Sequence, residues 1–273
     1  MKNNLILSII FSTMIIKAEA QNSAPFPEQC QIVCNYKLTF RPDSTDLSTK
    51  SDEMRLLIGK SVSKFESIGS SLVDSLYNAM ISTPGGEEKT TSFLDKRMTI
   101  SKSRFTYKIY KYPKKTVSYE KIEGKLYQYQ EEMPLFNWKM SSQKATIAGY
   151  ACQKATTSFA GRIWEAWFTR EVPVPDGPYK FSSLPGLIIK VGDTKQQYVF
   201  ELTGLYHPKR SIAITLPNAT IISSNKKAVL LAQRNHYENL PNMVGAISKQ
   251  SSNEKQDLRS SLKKKFNNSL EIK

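Results

Sequence analysis

The alternation of apolar and polar residues divides most of this chain into short segments that are typical of β-strands. Segments rich in Thr, Tyr, Phe, Ile and Val are separated by Gly, Pro, Asp and Asn, which favour turns. The clearest segment is Tyr150–Phe168, in whose second half odd-numbered and even-numbered residues should point to opposite faces of a sheet. Ala160-Gly161 favours a tight turn, so we predict a β-hairpin of Ala151–Phe159 and Arg162–Thr169.

Two segments instead show the spacing of apolar residues that is typical of helices. Ser71–Met80 and Asn225–Tyr237 each repeat apolar residues every three to four positions. Further strands are predicted along the chain, among them Gln31–Phe40 and Arg97–Ile100, and Thr83–Lys89 is predicted to be a loop.

Many strands with one early and one late helix indicate a mainly β fold of the α+β class. We predict a large twisted antiparallel sheet with both helices packed on it. Such a sheet could form a half-barrel around an apolar groove, as in periplasmic lipoprotein carriers, which is an analogy at the level of the fold only.

The N-terminal residues have the three parts of an export signal. Lys2 supplies the positive charge, Leu5–Ile16 is a short apolar core, and Ala18-Glu19-Ala20 resembles a cleavage site. The apolar core is shorter than the ~20 residues that span a bilayer, and no later segment is long and apolar enough to do so. We therefore assign residues 1–20 to a signal peptide, 21–247 to one β-rich domain and 248–273 to a basic, polar tail.

The three cysteines are Cys30, Cys34 and Cys152, an odd number that permits at most one disulfide. Export favours oxidation of thiols. Cys30 and Cys34 would lie about 13 Å apart in an extended strand, which is too far for a bond unless the segment bends. We therefore expect a disulfide that involves Cys152, with either of the other two as its partner.

The composition is strongly basic, with 39 Lys and Arg against 24 Asp and Glu and a net charge of +15. Such a charge suits an anionic envelope. The basic residues are dispersed, and no nucleic-acid-binding motif is present, so we expect no nucleic-acid partner.

Motifs of known catalytic chemistry are missing from the sequence. The only histidines are His207 and His236, no G-x-S-x-G nucleophile motif is present, and no zinc or nucleotide-binding pattern occurs. Glu165 and Glu171 could form a carboxylate pair, but acidic residues on an open sheet face are usually solvated. We expect a protein without enzymatic activity, cofactor or metal.

A stretch rich in Pro and Gly, Val172–Pro178, follows the hairpin and should leave the sheet as a stiff connector. It leads to Ser183-Leu184-Pro185-Gly186-Leu187-Ile188, in which Pro185 and Gly186 suit the two central positions of a type II turn. We interpret this turn first as a structural device, with Leu184, Leu187 and Ile188 anchored in the core.

The run from Thr169 to Val191 resembles the central motif of the GLPGLI family, which comprises secreted Bacteroidetes proteins of unknown function. Ser183 stands where the family motif has its first Gly. Gly149–Ala155 and the ending Phe266–Ile272 are also similar to that family. The resemblance implies an exported protein of the periplasm or cell envelope of a Gram-negative bacterium, and it implies no particular activity.

The stiff loop beside an aromatic strand favours a binding or interaction module over an enzyme. Its partner could be a hydrophobic ligand, a peptide, or an outer-membrane transporter or another envelope protein. The alternative is an envelope hydrolase with an unrecognised site. The candidate recognition residues are Trp164, Trp167, Pro173, Pro175, Gly177, Pro178, Leu184, Pro185, Gly186, Leu187 and Ile188.

We predict that export removes the first twenty residues, so that the mature chain starts at or near Gln21. N-terminal sequencing of the protein from a periplasmic fraction should find this start. Retention of Met1 in that fraction would contradict the prediction.

Overall fold

A computed structural model describes residues 26–82, 87–247, 253, 256, 260 and 268–271. The predicted signal peptide lies outside these residues, as does most of the predicted tail. None of the helices within the described part combines the length and apolar character that spanning a membrane requires.

Fourteen strands and three helices make up the described part of the fold. The strands are β1 Glu28–Gln29, β2 Ile32–Phe40, β3 Lys50–Ile58, β4 Ser63–Ser67, β5 Lys108–Lys111, β6 Lys115–Ile122, β7 Lys125–Glu132, β8 Lys139–Ile147, β9 Tyr150–Phe159, β10 Arg162–Thr169, β11 Leu187–Asp193, β12 Tyr198–Tyr206, β13 Ala213–Ile214 and β14 Ile221–Ser223. The helices are α1 Ile68–Ser82, α2 Glu87–Thr99 and α3 Lys226–Ile247.

Twelve strands form one sheet in the order β14-β7-β6-β5-β4-β3-β2-β12-β11-β10-β9-β8, and β1 pairs with β13 in a separate small sheet. All neighbours in the large sheet are antiparallel except β14, which lies parallel to β7. The predicted mainly β fold with a large sheet is thus confirmed.

The large sheet is open but strongly curved. Lys226 follows β14 and Phe159 ends β9, ten strand positions away, which would be about 48 Å in a flat sheet. Yet the Lys226 ammonium group lies 5.4 Å from the centre of the Phe159 ring. The two ends of the sheet must therefore bend toward each other, as the half-barrel form requires.

The predicted hairpin is β9–β10. Ala160 and Gly161 have φ values of 50° and 76°, which suit the tight turn between twisted antiparallel strands. The predicted alternation along β10 is also confirmed, since Trp164 is fully buried whereas Ile163 is 56% exposed.

The helical region after β4 differs from the prediction. The strand predicted at Arg97–Ile100 is wrong, because α2 continues to Thr99. Glu, Lys, Arg, Leu and Met together make up about half of α2 and favour helix locally, but the helix lacks the apolar stripe that reveals a helix in a sequence. The earlier helix, α1, has no buried residue and packs on α2, with Tyr77 and Phe93 in edge-to-face contact at 6.4 Å. It packs against β3 and β4 as predicted, with polar contacts that include Ser71 with Glu66 and Asp74 with Lys108.

The main core lies on one face of the large sheet and is completed by a loop, residues 170–186. Phe181 of this loop is fully buried, and its ring centre lies 4.7 Å from that of Trp164 and 5.2 Å from that of Phe136. The loop thus supplies the apolar side chains that a second layer of secondary structure would otherwise supply.

Buried polar contacts hold this loop against the sheet. Lys111 on β5 forms a buried ion pair with Asp176, and its ammonium group donates a hydrogen bond of 2.5 Å to the Gly177 carbonyl. The Trp138 indole donates to the Ser182 carbonyl at 2.8 Å. A loop can be buried only if its peptide groups find such partners.

The turn at Leu184–Leu187 is structural, but it is not the type II turn that we predicted. The Gly186 amide donates to the Leu184 carbonyl at 2.8 Å, and the Leu187 amide donates instead to Val172 at 3.0 Å. A Cβ added at Gly186 would lie 1.9 Å from the Thr169 carbonyl oxygen. Ser183 has φ 71°, which explains why glycine suits this position in the similar motif.

The three cysteines are buried free thiols, so the predicted disulfide of Cys152 is wrong. Cys152 on β9 lies four strand positions from Cys34 on β2, about 19 Å measured along the sheet, whereas a disulfide joins Cα atoms that lie within ~7 Å. Cys30 belongs to a different core cluster, which lies on the other face of β2. Each thiol is thus packed in apolar surroundings away from the other two.

Replacing Gly186 by Ala should lower the free energy of unfolding by about 2–5 kcal/mol, because the new Cβ overlaps the Thr169 carbonyl. Gly149→Ala is the matched control, since Gly149 also has positive φ (85°) but open space around a Cβ. It should cost only about 1 kcal/mol. Urea denaturation of both variants checks the difference, and equal midpoints would show that the close approach at Gly186 carries no stability.

Candidate functional site

A cavity of about 960 Å³ lies between the large sheet, α3 and the segment 268–271. Its lining combines aromatic rings with charged and amide side chains. The residues that line it are Ser44, Arg104, Phe105, Thr106, Tyr107, Glu120, Ala160, Tyr179, Lys195, Gln197, Tyr198, Lys226, Leu230, Gln233, Arg234, Tyr237, Glu238, Asn268, Ser269, Leu270 and Glu271.

One face of α3 forms a wall of the cavity. Leu230, Gln233, Arg234, Tyr237 and Glu238 follow the spacing i, i+3, i+4, i+7 and i+8, which places them on one side of a helix. The late helix predicted from this spacing therefore contributes its mixed face to the cavity.

Four charged side chains next to the cavity form a closed ring of ion pairs. Lys180 Nζ lies 2.6 Å from Glu131 Oε2 and 2.6 Å from Glu271 Oε1. Lys226 Nζ lies 2.6 Å from Glu131 Oε1 and 2.8 Å from Glu271 Oε2. Two positive and two negative charges thus neutralise one another, which is what the burial of ions requires.

Tyrosine hydroxyls complete this ring. Tyr129 lies 3.0 Å from Lys180 Nζ, and Tyr179 donates a hydrogen bond of 2.6 Å to Glu271 Oε1. Burial by itself lowers the pKa of Lys180, but Tyr129, Glu271 and Glu131 outweigh it and raise that pKa. Burial likewise raises the pKa of Glu271, and the Lys180 and Lys226 ammonium groups outweigh it and hold the pKa at about 2. Lys180 and Glu271 therefore stay ionised at neutral pH.

Arg162 fixes the C-terminal wall of the cavity. Its guanidinium donates to Asp193 Oδ2 at 2.8 Å, to Gln197 Oε1 at 2.7 Å, and to Asn268 Oδ1 at 2.6 Å. It also donates to the backbone carbonyls of Ser269 and Leu270. Residues 268–271, the end of the segment that the sequence assigned to a polar tail, are thus built into the fold.

Glu120 is a carboxyl group of the cavity wall that has no cation as a direct partner among the described residues. It is 7% exposed and accepts a hydrogen bond of 3.3 Å from the Gln233 amide. Burial raises its pKa to about 7, with Lys180 opposing the rise and Glu271 adding to it. Glu120 therefore changes charge near neutral pH.

Tyr107 places a second unsatisfied group in the wall. Its hydroxyl is buried and has no hydrogen-bond partner among the described residues. The ring packs between Tyr179 at 5.4 Å and Phe105 at 5.7 Å, which fixes the hydroxyl in place. A buried hydroxyl without a partner costs free energy.

None of the eleven residues that we predicted for recognition lines this cavity. Seven of them are buried in the fold, Trp167 is half-buried, and Pro173, Pro175 and Pro185 are exposed. The buried residues are Trp164, Gly177, Pro178, Leu184, Gly186, Leu187 and Ile188.

The histidines also lie away from the cavity. His207 Nδ1 is 2.9 Å from the Gln31 carbonyl, and His236 on α3 is 3.2 Å from Glu123 Oε1. Within the part of the chain that the structure describes, no three His, Cys, Asp or Glu side chains are grouped so that they could hold a metal ion.

The charged residues that build the ion ring are not among the predicted site residues. Lys180 lies inside the recognised motif between Tyr179 and Phe181, and a lysine in such an apolar stretch is a signal of a buried, paired charge. Glu271 lies in the C-terminal ending that carries the family resemblance. The positions of Lys180 and Glu271 could therefore be noticed in the sequence. Their pairing could not, because Lys180, Glu131 and Glu271 lie far apart along the chain.

Comparison with known proteins supports the motif and the fold. A family described as "Protein of unknown function (Porph_ging)" matches residues 160–190, which include the Ser183–Ile188 turn. This match is consistent with the resemblance to the GLPGLI family and covers a minor part of the chain. No curated protein matches the sequence.

Two solved structures of PNGF-II resemble the fold. The form in space group P21 aligns with a TM-score of 0.51 at 13% identity, covering 76% of this chain and 34% of that chain. The form in space group C2 gives a TM-score of 0.50 at 14% identity and covers 77% and 33%. This chain thus corresponds to about a third of PNGF-II, and the likeness concerns the fold alone.

The Glu271 pKa predicts how stability depends on pH. Because the folded pKa of about 2 lies below the ordinary 4.5, Glu271 stabilises the fold above pH 5 and loses this effect as the pH falls toward 2. The effect amounts to about 3 kcal/mol. Glu271→Gln should be less stable at pH 6, and its free energy of unfolding should fall less steeply between pH 5 and pH 2.

Glu201→Gln is the control for this experiment, because the Lys190–Glu201 pair is far more accessible to solvent than the ring and should contribute little. Urea denaturation at several pH values gives the free energy for each protein. Parallel pH profiles for the parent and Glu271→Gln would contradict the assignment of this effect to the ring.

Proposed function

We propose that this protein is an exported, non-catalytic binding protein and that its ligand site is the cavity beneath α3. The observation that carries the proposal is a cavity of about 960 Å³ lined by aromatic rings and by a few buried polar groups. Cavities of 300–1,000 Å³ with this mixture are typical of small-molecule sites.

The construction of the walls supports this proposal. The ion ring joins the loop, β7, α3 and the C-terminal segment, and Arg162 anchors that segment a second time. Walls that are fixed before a ligand arrives lower the entropy cost of binding. The ion ring and the Arg162 contacts hold the walls apart, which distinguishes this cavity from a gap left by imperfect packing.

The residues that line the cavity favour a different kind of ligand from the one that the sequence suggested. The sequence suggested a hydrophobic ligand on an aromatic face, but Trp164 is fully buried in the core. The cavity offers Tyr107, Tyr179 and Tyr237 together with amide and charged groups. It suits a small molecule with an apolar ring and polar substituents better than a long lipid chain.

A hydrolase remains the second candidate because of Glu120. A buried carboxyl whose pKa lies near 7 has the property of a general acid or base. If the cavity catalyses hydrolysis, Glu120→Gln should abolish turnover of chromogenic ester and glycoside substrates that the parent cleaves. Turnover by the parent would contradict the non-catalytic proposal.

The binding proposal predicts that filling the cavity removes binding. Leu230→Trp adds a large ring at a lining position and should abolish the weak binding of benzyl alcohol, a neutral aromatic probe, to the mature protein. Ligand-observed NMR titration measures the dissociation constant. Leu231→Trp is the matched control, since Leu231 is the neighbouring residue, is 44% exposed and does not line the cavity. Equal binding by both variants would contradict this site.

A further inference from the structure

The helix pair α1–α2 carries a concentration of exposed apolar side chains. Among the described residues, twelve large apolar side chains are exposed, and five of them lie in these two helices, which are a small part of that chain. Each of the five is at least 50% exposed; they are Leu72, Tyr77, Ile81, Leu94 and Met98. Single exposed apolar residues are normal, but a concentration of them marks an interaction surface.

Within one chain the helix pair has little to pack against. α1 has no buried residue; it packs mainly on β3, β4 and α2, and α2 packs mainly on α1. The contacts of α1 with the sheet include polar ones, Ser71 with Glu66 and Asp74 with Lys108. Short helices are stable in water mostly because tertiary contacts bury their apolar side. The helix pair therefore lacks the covering layer that its apolar side chains require.

The exposed apolar positions of α2 share one side of that helix with two charged positions. Positions 87, 94 and 98 follow the spacing i, i+7 and i+11, and position 97 adjoins them. The stripe therefore contains Glu87 at the start of the helix, Leu94, and Arg97 and Met98 in the last turn. It has a negative end and a positive end, with an apolar residue between them.

The charge of the helix pair favours a second protein copy over a lipid surface. Its acidic residues outnumber its basic residues by four to three, although the whole chain has a net charge of +15; the seven are Asp74, Glu87, Glu88, Asp95, Lys89, Lys96 and Arg97. Helices that lie on membranes are instead rich in Lys and Arg beside their apolar side. Two basic chains repel each other least where their local charge is lowest.

We propose that two copies of this chain associate through their α1–α2 helix pairs with twofold symmetry. A twofold axis across α2 places the helix antiparallel to its copy, so that Glu87 of each copy meets Arg97 of the other. Leu94 then packs between the two ion pairs. Tyr77, which contacts Phe93 at 6.4 Å, and Ile81, one turn further along α1, extend the apolar contact. The interface is separate from the cavity, since no residue of α1 or α2 lines it.

The exposed apolar area is sufficient for a weak dimer. Five large side chains that are at least half exposed offer on the order of 100 Å² each, or roughly 1,000 Å² over two copies. Specific interfaces begin near this area, and those at the lower end are weak and transient. We therefore expect a dimer that forms at micromolar concentrations and dissociates on dilution.

Analytical ultracentrifugation of the mature chain measures this association. Ile81→Glu and Met98→Glu each place an unpaired charge in the proposed interface and should weaken the dimer by about tenfold or more. Ile163→Glu and Met140→Glu are the matched controls and should leave the dissociation constant unchanged, since these residues are also more than half exposed but lie on β10 and β8. Circular dichroism should show a folded protein in every case, because all four side chains are exposed in the single chain.

A charge exchange tests the antiparallel arrangement. Arg97→Glu makes both ends of the stripe negative, and Glu87→Arg makes both ends positive, so each variant alone should repel its own copy. A mixture of the two variants should form a heterodimer, since each ion pair then joins opposite charges. Restored association on mixing would also exclude misfolding as the reason why the separate variants are monomeric.

Four results would overturn the proposal. A mature chain that stays monomeric at about 1 mM would contradict self-association of this strength. If Ile81→Glu and Met98→Glu dimerise like the parent, the contact lies on another surface. If the two charge variants stay monomeric when mixed, the antiparallel pairing is wrong. If the parent is monomeric and binds vesicles of phosphatidylglycerol and phosphatidylcholine, and Met98→Glu abolishes this binding, the helix pair faces a lipid surface instead.

Discussion

The Lys180 ammonium group is completely removed from solvent, and this constraint organises much of the molecule. A buried lysine would lose its charge unless carboxylates compensated for the lost hydration. Here Glu131 comes from β7 and Glu271 from the C-terminal segment, and each is shared with Lys226 at the start of α3. One buried charge thus requires four distant parts of the chain to meet, and removing any one partner would leave an uncompensated charge inside.

The same ion ring explains why the cavity exists. α3 is tied to the fold through Lys226 at its first turn and through Val229, which packs with Ile122 and Tyr129. Beyond this attachment, the helix residues Leu230, Gln233, Arg234, Tyr237 and Glu238 line the cavity. The opposite side is closed by residues 268–271. Arg162 holds them by donating from Nη2 to the Asn268 side chain and the Ser269 carbonyl, and from Nε to the Leu270 carbonyl. Ionic anchors at the rim thus keep a space open that apolar packing would have filled.

The loop from β10 to β11 has a structural role that its composition conceals. Its prolines and glycines suggest an exposed recognition loop, but Phe181, Leu184 and Tyr179 are buried in the main core. The Lys111–Asp176 pair and the close approach of Gly186 to Thr169 fix its course over the curved sheet. Packing constrains the loop most strongly from Asp176 to Ser182, and its exposed residues are Arg170, Glu171, Pro173, Pro175, Ser183 and Pro185. Within the same loop, Tyr179 also lines the cavity, and Lys180 takes part in the ion ring beside it.

Local physical chemistry allowed the sequence by itself to determine the secondary structure of most strands, the β9–β10 hairpin, the late helix and the structural character of the Leu184–Leu187 turn. These features depend on periodicity and on the backbone preferences of Gly and Pro, which act over a few residues. The sequence did not determine α2, whose polar surface hides its periodicity, or the state of the cysteines, whose pairing depends on distances across the sheet. Only the tertiary structure decided the ion ring, the anchoring of the C-terminal segment by Arg162 and the cavity with Glu120. Each of these joins residues that are separated by tens to more than a hundred positions in the sequence. They meet in the fold, where curvature brings the two ends of the twelve-stranded sheet together.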